Sequence, residues 1–320
     1  MAIWASSPWD NFQRLMNHLA ASSGVSIALV DSTIAPRGGE FDPQRLNEVG
    51  DMTRRIYIIL AAICLLLGMT DISSANAIKW KEITEIAAIF KDSGLNGTFA
   101  LYDVKEDAYI GFNKDRAETR FIPASTFKIA NSLIGLSVGA VKSVEDILPY
   151  RYTPKPFSKA WEKDMGLREA IAVSNVPIYQ ELARRIGFDR MQENILKLNY
   201  GNKEIGTSID TFWLLGPLKI SAVEQTQFLV KLAQGLLPFP ETAQKSVRDI
   251  TLIDKGPNWT LHAKTGWQNG PNPGVGWWVG WVKKGDRVYA FALNIDIQKE
   301  SDGAKRIEIG KASLKALGII

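Results

Sequence analysis

Ser125 and Lys128 stand three residues apart in the run Phe121-Ile122-Pro123-Ala124-Ser125-Thr126-Phe127-Lys128. On a helix that spacing stacks two side chains on one face, close enough for a deprotonated amine to take the hydroxyl proton. A serine relieved of its proton is a nucleophile for acyl transfer. Histidine offers little competition, because the 320-residue chain holds 2, His18 and His262. A Ser-His-Asp triad could draw only on these, and no His/Cys cluster has metal-ligand spacing, so no metal is expected. A lone Ser-x-x-Lys arises by chance roughly once in a chain this long, so the weight rests on what accompanies it.

Three further short motifs follow in order: Ser174-Asn175-Val176 at the start of a predicted helix, Tyr200-Gly201-Asn202 in a predicted loop, and Lys264-Thr265-Gly266 on a predicted strand. Each alone has a plain structural reading, as an N-cap, a turn and an ordinary strand. The last is the most specific, expected by chance in about one chain in ten. Four in this order and spacing are very hard to obtain by accident.

The elements that must position these residues can be read from periodicity. Pro123 suits a helix entrance and not an interior, so a helix should begin at about Ser125. Phe127, Ile129, Ala130, Leu133, Ile134, Leu136 and Val138 cover nearly every face of it, the pattern of a buried helix. At its tip the Ser125 N–H would form half of an oxyanion hole. Alternating apolar residues over 97–104 and 108–112 predict a hairpin; helices are expected over 167–173, 177–186, 190–198 and 222–236. Strands return over 260–265, 275–283 and 288–295, and 303–317 reads as a closing helix. Strands at both ends with helices between predict an α+β fold: an antiparallel sheet flanked by helices, with a helical lobe inserted.

Ahead of this unit, Met52-Thr53-Arg54-Arg55 opens a short apolar run, 56–69, that ends in Ser73-Ser74-Ala75-Asn76-Ala77. A basic start, a short apolar core and a small-x-small end predict a secretory signal peptide over 52–77, with the mature catalytic domain over 78–320. Residues 1–51 are then a non-native or disordered extension before the true start at Met52; the alternative is a cytoplasmic extension before a membrane anchor. Ile63 precedes Cys64, so lipid attachment there is not expected. The 1 cysteine excludes an intramolecular disulfide. Secretion is expected, with no stable membrane association after cleavage. The net charge of +4 comes without a Lys/Arg run of nucleic-acid type, so no nucleic-acid partner is expected.

With these motifs in place, the chain resembles the penicillin-recognising serine enzymes, and among them the class D β-lactamases. Ser125-Thr126-Phe127-Lys128, Ser174-x-Val176, Tyr200-Gly201-Asn202, Phe212-Trp213-Leu214-Leu215-Gly216 and Lys264-Thr265-Gly266 carry the resemblance, with Gly276-Trp277-Trp278-Val279-Gly280-Trp281 beside them. It covers 78–320 and none of 1–51. Leu215 departs from it, standing where many members carry an acidic residue.

The resemblance implies hydrolysis of penicillin-type antibiotics in the bacterial periplasm, and with it antibiotic resistance. Ser125 would form the acyl-enzyme. Lys128 would carry a carboxyl group taken from carbon dioxide (N6-carboxylysine) and serve as general base, with no other cofactor. Trp213, Val176 and Leu214 would support that carbamate. Ser174 would bridge the two lysines, and Lys264 would place positive charge near the substrate carboxylate. Thr265 and Arg306 would hold that carboxylate, and the N–H of Trp267, next to Gly266, would complete the oxyanion hole. The plain alternative for Trp213 is a core aromatic with its N–H paired to a carbonyl. His262 reads as a satisfied strand residue, and Tyr200 and Asn202 as shapers of the rim. Two other functions share the serine–lysine core: a cell-wall transpeptidase or carboxypeptidase, and a β-lactam-sensing domain.

Overall fold

The computed structural model describes residues 78–151, 157–270 and 272–320. The expected leader and the extension before it lie outside the described residues. All described residues belong to one compact unit, Asn76–Ile320.

In order, the elements are β1 (Trp80–Glu82), α1 (Thr84–Ser93), β2 (Gly97–Asp103), β3 (Ala108–Phe112), α2 (Lys114–Glu118), a 3-10 turn (Ala124–Phe127) and α3 (Lys128–Ser137). A second 3-10 turn (Lys159–Trp161) leads to α4 (Leu167–Ala172), α5 (Val176–Ile186), α6 (Phe188–Leu198), α7 (Phe212–Leu215), α8 (Ala222–Gln234) and α9 (Glu241–Thr251). The chain closes with β4 (Leu252–Lys255), β5 (Trp259–Gln268), β6 (Gly274–Lys284), β7 (Arg287–Ile297) and α10 (Asp302–Ala316).

The strands form one sheet in the order β1-β3-β2-β7-β6-β5-β4. Every neighbouring pair is antiparallel except β1 with β3. The sheet is therefore mixed, where a purely antiparallel one was expected. Three residues carry too little alternation to announce a strand, and β1 gains its place by pairing Lys81 with Ile110 of β3.

Both faces of the sheet are buried, and the alternation of β6 shows how. Trp277, Val279 and Trp281 enter a core shared with α3, α5 and α8; Trp278 and Val282 enter a second core with Ile86 and Phe90 of α1 and Ile309 and Leu314 of α10. The expected assignment of these tryptophans to sheet packing holds.

Helix α3 is buried on every side from Lys128 to Gly135. The helix expected from about Ser125 is there, and its first turn is of the 3-10 type. Ser125 lies in the 3-10 turn, with Pro123 at its N-cap, and the α-helix starts at Lys128. The tighter turn has 3.0 residues per repeat, so side chains at i and i+3 eclipse each other. The change thus aligns Ser125 and Lys128 more closely than an α-helix would.

Candidate active site

Lys128 Nζ donates a 2.6 Å hydrogen bond to Ser125 Oγ. Lys128 is fully buried, beneath the half-buried serine. Burial first, and the charge of Lys264 second, hold its amine well below the ordinary lysine pKa. A neutral amine can accept a proton or react with carbon dioxide; an ammonium can do neither. The loop before the serine is tied to the sheet by Trp277 Nε1, which donates to Ile122 O at 2.9 Å.

Across the cleft stands a second lysine–serine pair. Lys264 Nζ donates to Ser174 Oγ at 3.0 Å and to Thr265 O at 3.0 Å. Burial, then Arg306, bring the Lys264 pKa down to about 7. Ser174 adopts φ 57°, a left-handed conformation that a residue with a Cβ rarely takes, and one the surroundings must hold. They do: Asn175 N donates to Ala170 O, Asn175 Nδ2 donates to Trp161 O, and Asn175 Oδ1 accepts from Ile178 N.

Strand β5 brings Lys264, Thr265, Gly266 and Trp267 against the serine turn. Gly266 is required there, because a Cβ would lie 2.8 Å from Pro123 O and 3.0 Å from Thr126 Cγ2. Arg306 reaches the cleft from α10. Its guanidinium lies 5.8 Å from the Trp267 ring centroid and donates to Gly303 O, while its Nε is buried without a partner.

Ser125, Ser174, Val176, Leu214, Thr265, Gly266, Trp267 and Arg306 line a single cleft of about 490 Å³. Trp213 lies behind that wall, fully buried and stacked on Phe127 with ring centroids 5.5 Å apart. Its Nε1 has no hydrogen-bond partner. The core-aromatic alternative, an indole paired to a carbonyl, is therefore not what the structure contains. A fully buried amine whose pKa is depressed and an unpartnered indole N–H behind the same cleft suit an added anionic group on Lys128.

The Tyr200-Gly201-Asn202 motif does not line the cleft. Tyr200 is buried against Phe127 and Phe228. Asn202 accepts from Lys219 N through Oδ1 and donates to Pro217 O through Nδ2, while Gly201 has φ 54° and a Cβ there would collide with Lys219 O. The motif staples the chain just after α7. His262 stacks on Trp281, and its Nδ1 lies 2.8 Å from Arg248 O, as expected of a satisfied strand residue.

The cleft also takes in residues the sequence did not single out: Phe157, Ser158, Trp161 and Gln180. Phe157 and Trp161 are aromatics in a stretch without periodicity, and nothing local ties them to the cleft. Leu215 is 78 % exposed, outside the cleft lining. Among the described residues no group of three or more His, Cys, Asp or Glu could hold a metal ion.

A serine bonded to one buried lysine, with a second lysine–serine pair across the cleft, on a sheet flanked by helices fits the penicillin-recognising serine enzymes, and comparison with known proteins narrows the class. Residues 96–315 match the family model of the penicillin binding protein transpeptidase domain. The chain is 42 % identical over 234 residues to beta-lactamase OXA-5 of Pseudomonas aeruginosa, covering 72 % of this chain and 87 % of that one. It is 36 % identical over 263 residues to beta-lactamase OXA-48 of Klebsiella pneumoniae, covering 82 % and 98 %. The crystal structure of FUS-1 (OXA-85), a class D β-lactamase from Fusobacterium nucleatum subsp. polymorphum, superposes with TM-score 0.73 at 48 % identity, covering 75 % of this chain and all of that one. The chain belongs to the class D β-lactamases.

Proposed function

We propose that the protein hydrolyses the lactam ring of penicillin-type antibiotics through an acyl-enzyme on Ser125, with a carbamylated Lys128 as general base. The observation that carries this reading is the 2.6 Å contact between a fully buried amine and the serine hydroxyl, with an unpartnered indole N–H buried behind the same cleft.

Ser125 Oγ gives up its proton and attacks the lactam carbonyl; the N–H groups of Ser125 and Trp267 receive the negative charge on oxygen. The carbon–nitrogen bond then breaks, and the leaving nitrogen needs a proton. Ser174 Oγ faces the cleft and is bonded to Lys264 Nζ, whose pKa of about 7 suits proton transfer near neutrality. Thr265 and Arg306 hold the substrate carboxylate, the arginine through its planar fork. When bound to the amine, the carbamate supplies an anionic oxygen that can take the proton of Ser125 and, later, of the deacylating water. Val176 and Leu214 would screen that base from bulk solvent, and Trp213 Nε1 would donate to it.

In its host the enzyme would be exported to the periplasm by the leader at 52–77 and confer resistance. Steady-state hydrolysis of a small β-lactam panel tests the reading. Continuous turnover is expected; one burst of acylation without turnover would instead indicate a transpeptidase or a sensor.

A further inference from the structure

The wall that carries Trp213 cannot hold itself in place. Helix α7 is a single turn, with no side-chain cap at Thr211, and so short a helix is not stable alone. Its C-terminal side is stapled by Asn202, as described above. Its N-terminal side is held by Asp210, and every bond to that residue is made by its own turn or by α5. Arg184 Nη1 donates to Asp210 Oδ2 at 2.6 Å, Gln180 Nε2 donates to Asp210 O at 3.1 Å, and Ser208 Oγ donates to Asp210 Oδ1 at 3.4 Å. Arg184 is fixed in turn by Glu181, whose Oε2 accepts from its Nε at 3.3 Å and Nη2 at 3.1 Å. Glu181 is 4 % exposed and also accepts from Arg151 Nε at 2.6 Å.

We propose that Arg184 is a positioning residue for the reaction: forked between Glu181 and Asp210, it fixes the start of α7 and so the place of the Trp213 indole N–H. It touches neither substrate nor the reacting atoms. A loosened α7 would leave the indole donating to Lys128's carbamate for only part of the time. The consequence is weaker retention of carbon dioxide, with acylation intact once the carbamate has formed. Partners that orient a ligating group in this indirect way are typically worth about tenfold in affinity or activity. The bicarbonate part of this inference rests on the function proposed above; the positional part does not.

The test compares Arg184→Ala and Arg184→Lys with the wild type. Arg168→Ala is the control, since Arg168 is likewise forked between two carboxylates, Glu145 and Asp249, on elements that do not carry Trp213. Hydrogen exchange at amides 211–216 should speed up about tenfold in Arg184→Ala, less in Arg184→Lys, and not at all in Arg168→Ala. The bicarbonate concentration giving half-maximal turnover should rise by a similar factor in the same order, while the acylation rate at saturating bicarbonate stays at the wild-type value. Unchanged exchange at 211–216 overturns the proposal, as does faster exchange with an unmoved bicarbonate midpoint. If the wild type itself ignores bicarbonate, the carbamate reading falls, and exchange alone then decides the role of Arg184.

Discussion

The amine of Lys128 is fully buried yet lies 2.6 Å from the half-buried hydroxyl of Ser125. The 3-10 turn produces both conditions at once. It eclipses the two side chains, and it feeds directly into a helix surrounded by core, which strips water from the amine.

That burial carries a stability cost, which can be measured. A lysine whose folded pKa is depressed binds fewer protons in the folded state than in the unfolded one, so stability rises with pH between the two values. Below the folded value the cost is present in full. In buffer stripped of carbon dioxide, Lys128→Met should abolish turnover and raise Tm at neutral pH by roughly 2–4 °C, the equivalent of about 1 kcal/mol. A lower Tm in the variant would mean that the amine is not a source of strain.

Lys264 gives a defined window. Its folded pKa is about 7 against an ordinary 10.5. Its contribution therefore makes the fold more stable as pH climbs from about 7 towards about 9, short of the range in which tyrosines ionise. The slope of Tm against pH over that interval should flatten in Lys264→Met. An equal slope in both proteins would place the titrating group elsewhere.

The indole N–H can be separated from the indole's bulk. Trp213→Ala would empty a core site, at about 3–5 kcal/mol. Trp213→Phe keeps most of the packing on Phe127 and removes only the donor. It should slow deacylation about a hundredfold, the scale of one lost preorganised donor, while a burst of acylation persists. Unchanged turnover would remove Trp213 from the mechanism.

These sites differ in how far the sequence announces them. Ser125 and Lys128 are local, three residues apart, and Lys264-Thr265-Gly266 sits on a strand whose alternation is plain, so both are legible in the chain. The hairpin, the long strands and the closing helix are legible for the same reason. The 3-10 turn is not, because the choice between i→i+3 and i→i+4 bonding depends on how Pro123 and Gly266 approach each other. The parallel edge strand β1, the cleft aromatics Phe157 and Trp161, and the bond from Arg184 to Asp210 all depend on partners distant in sequence. Tyr200 and Asn202 do not shape the rim as expected; their motif staples the chain after α7.

Gly266→Ala probes the closest approach at the site. A Cβ 2.8 Å from Pro123 O must push β5 away from the serine turn. The expected costs are about 1–3 kcal/mol of stability and most of the acylation rate. A variant with wild-type acylation would show that the turn has room to spare.

Phe157 is 67 % exposed, yet it packs edge-on to Trp267 at 6.3 Å and against Trp161 at 5.8 Å. Phe157→Ala should change stability by no more than about 0.5 kcal/mol. It should nonetheless shift KM several-fold between β-lactams with large and small side chains. A uniform KM across the panel would show that the aromatic pair plays no part in selecting substrates.

The account turns on chemistry at one nitrogen, and carbon-13 NMR of the enzyme in labelled bicarbonate observes it directly. A carbamate carbonyl resonance is predicted in the wild type, lost on acidification and missing from Lys128→Met. A wild-type spectrum without that resonance, from enzyme that still turns over penicillin, would contradict it.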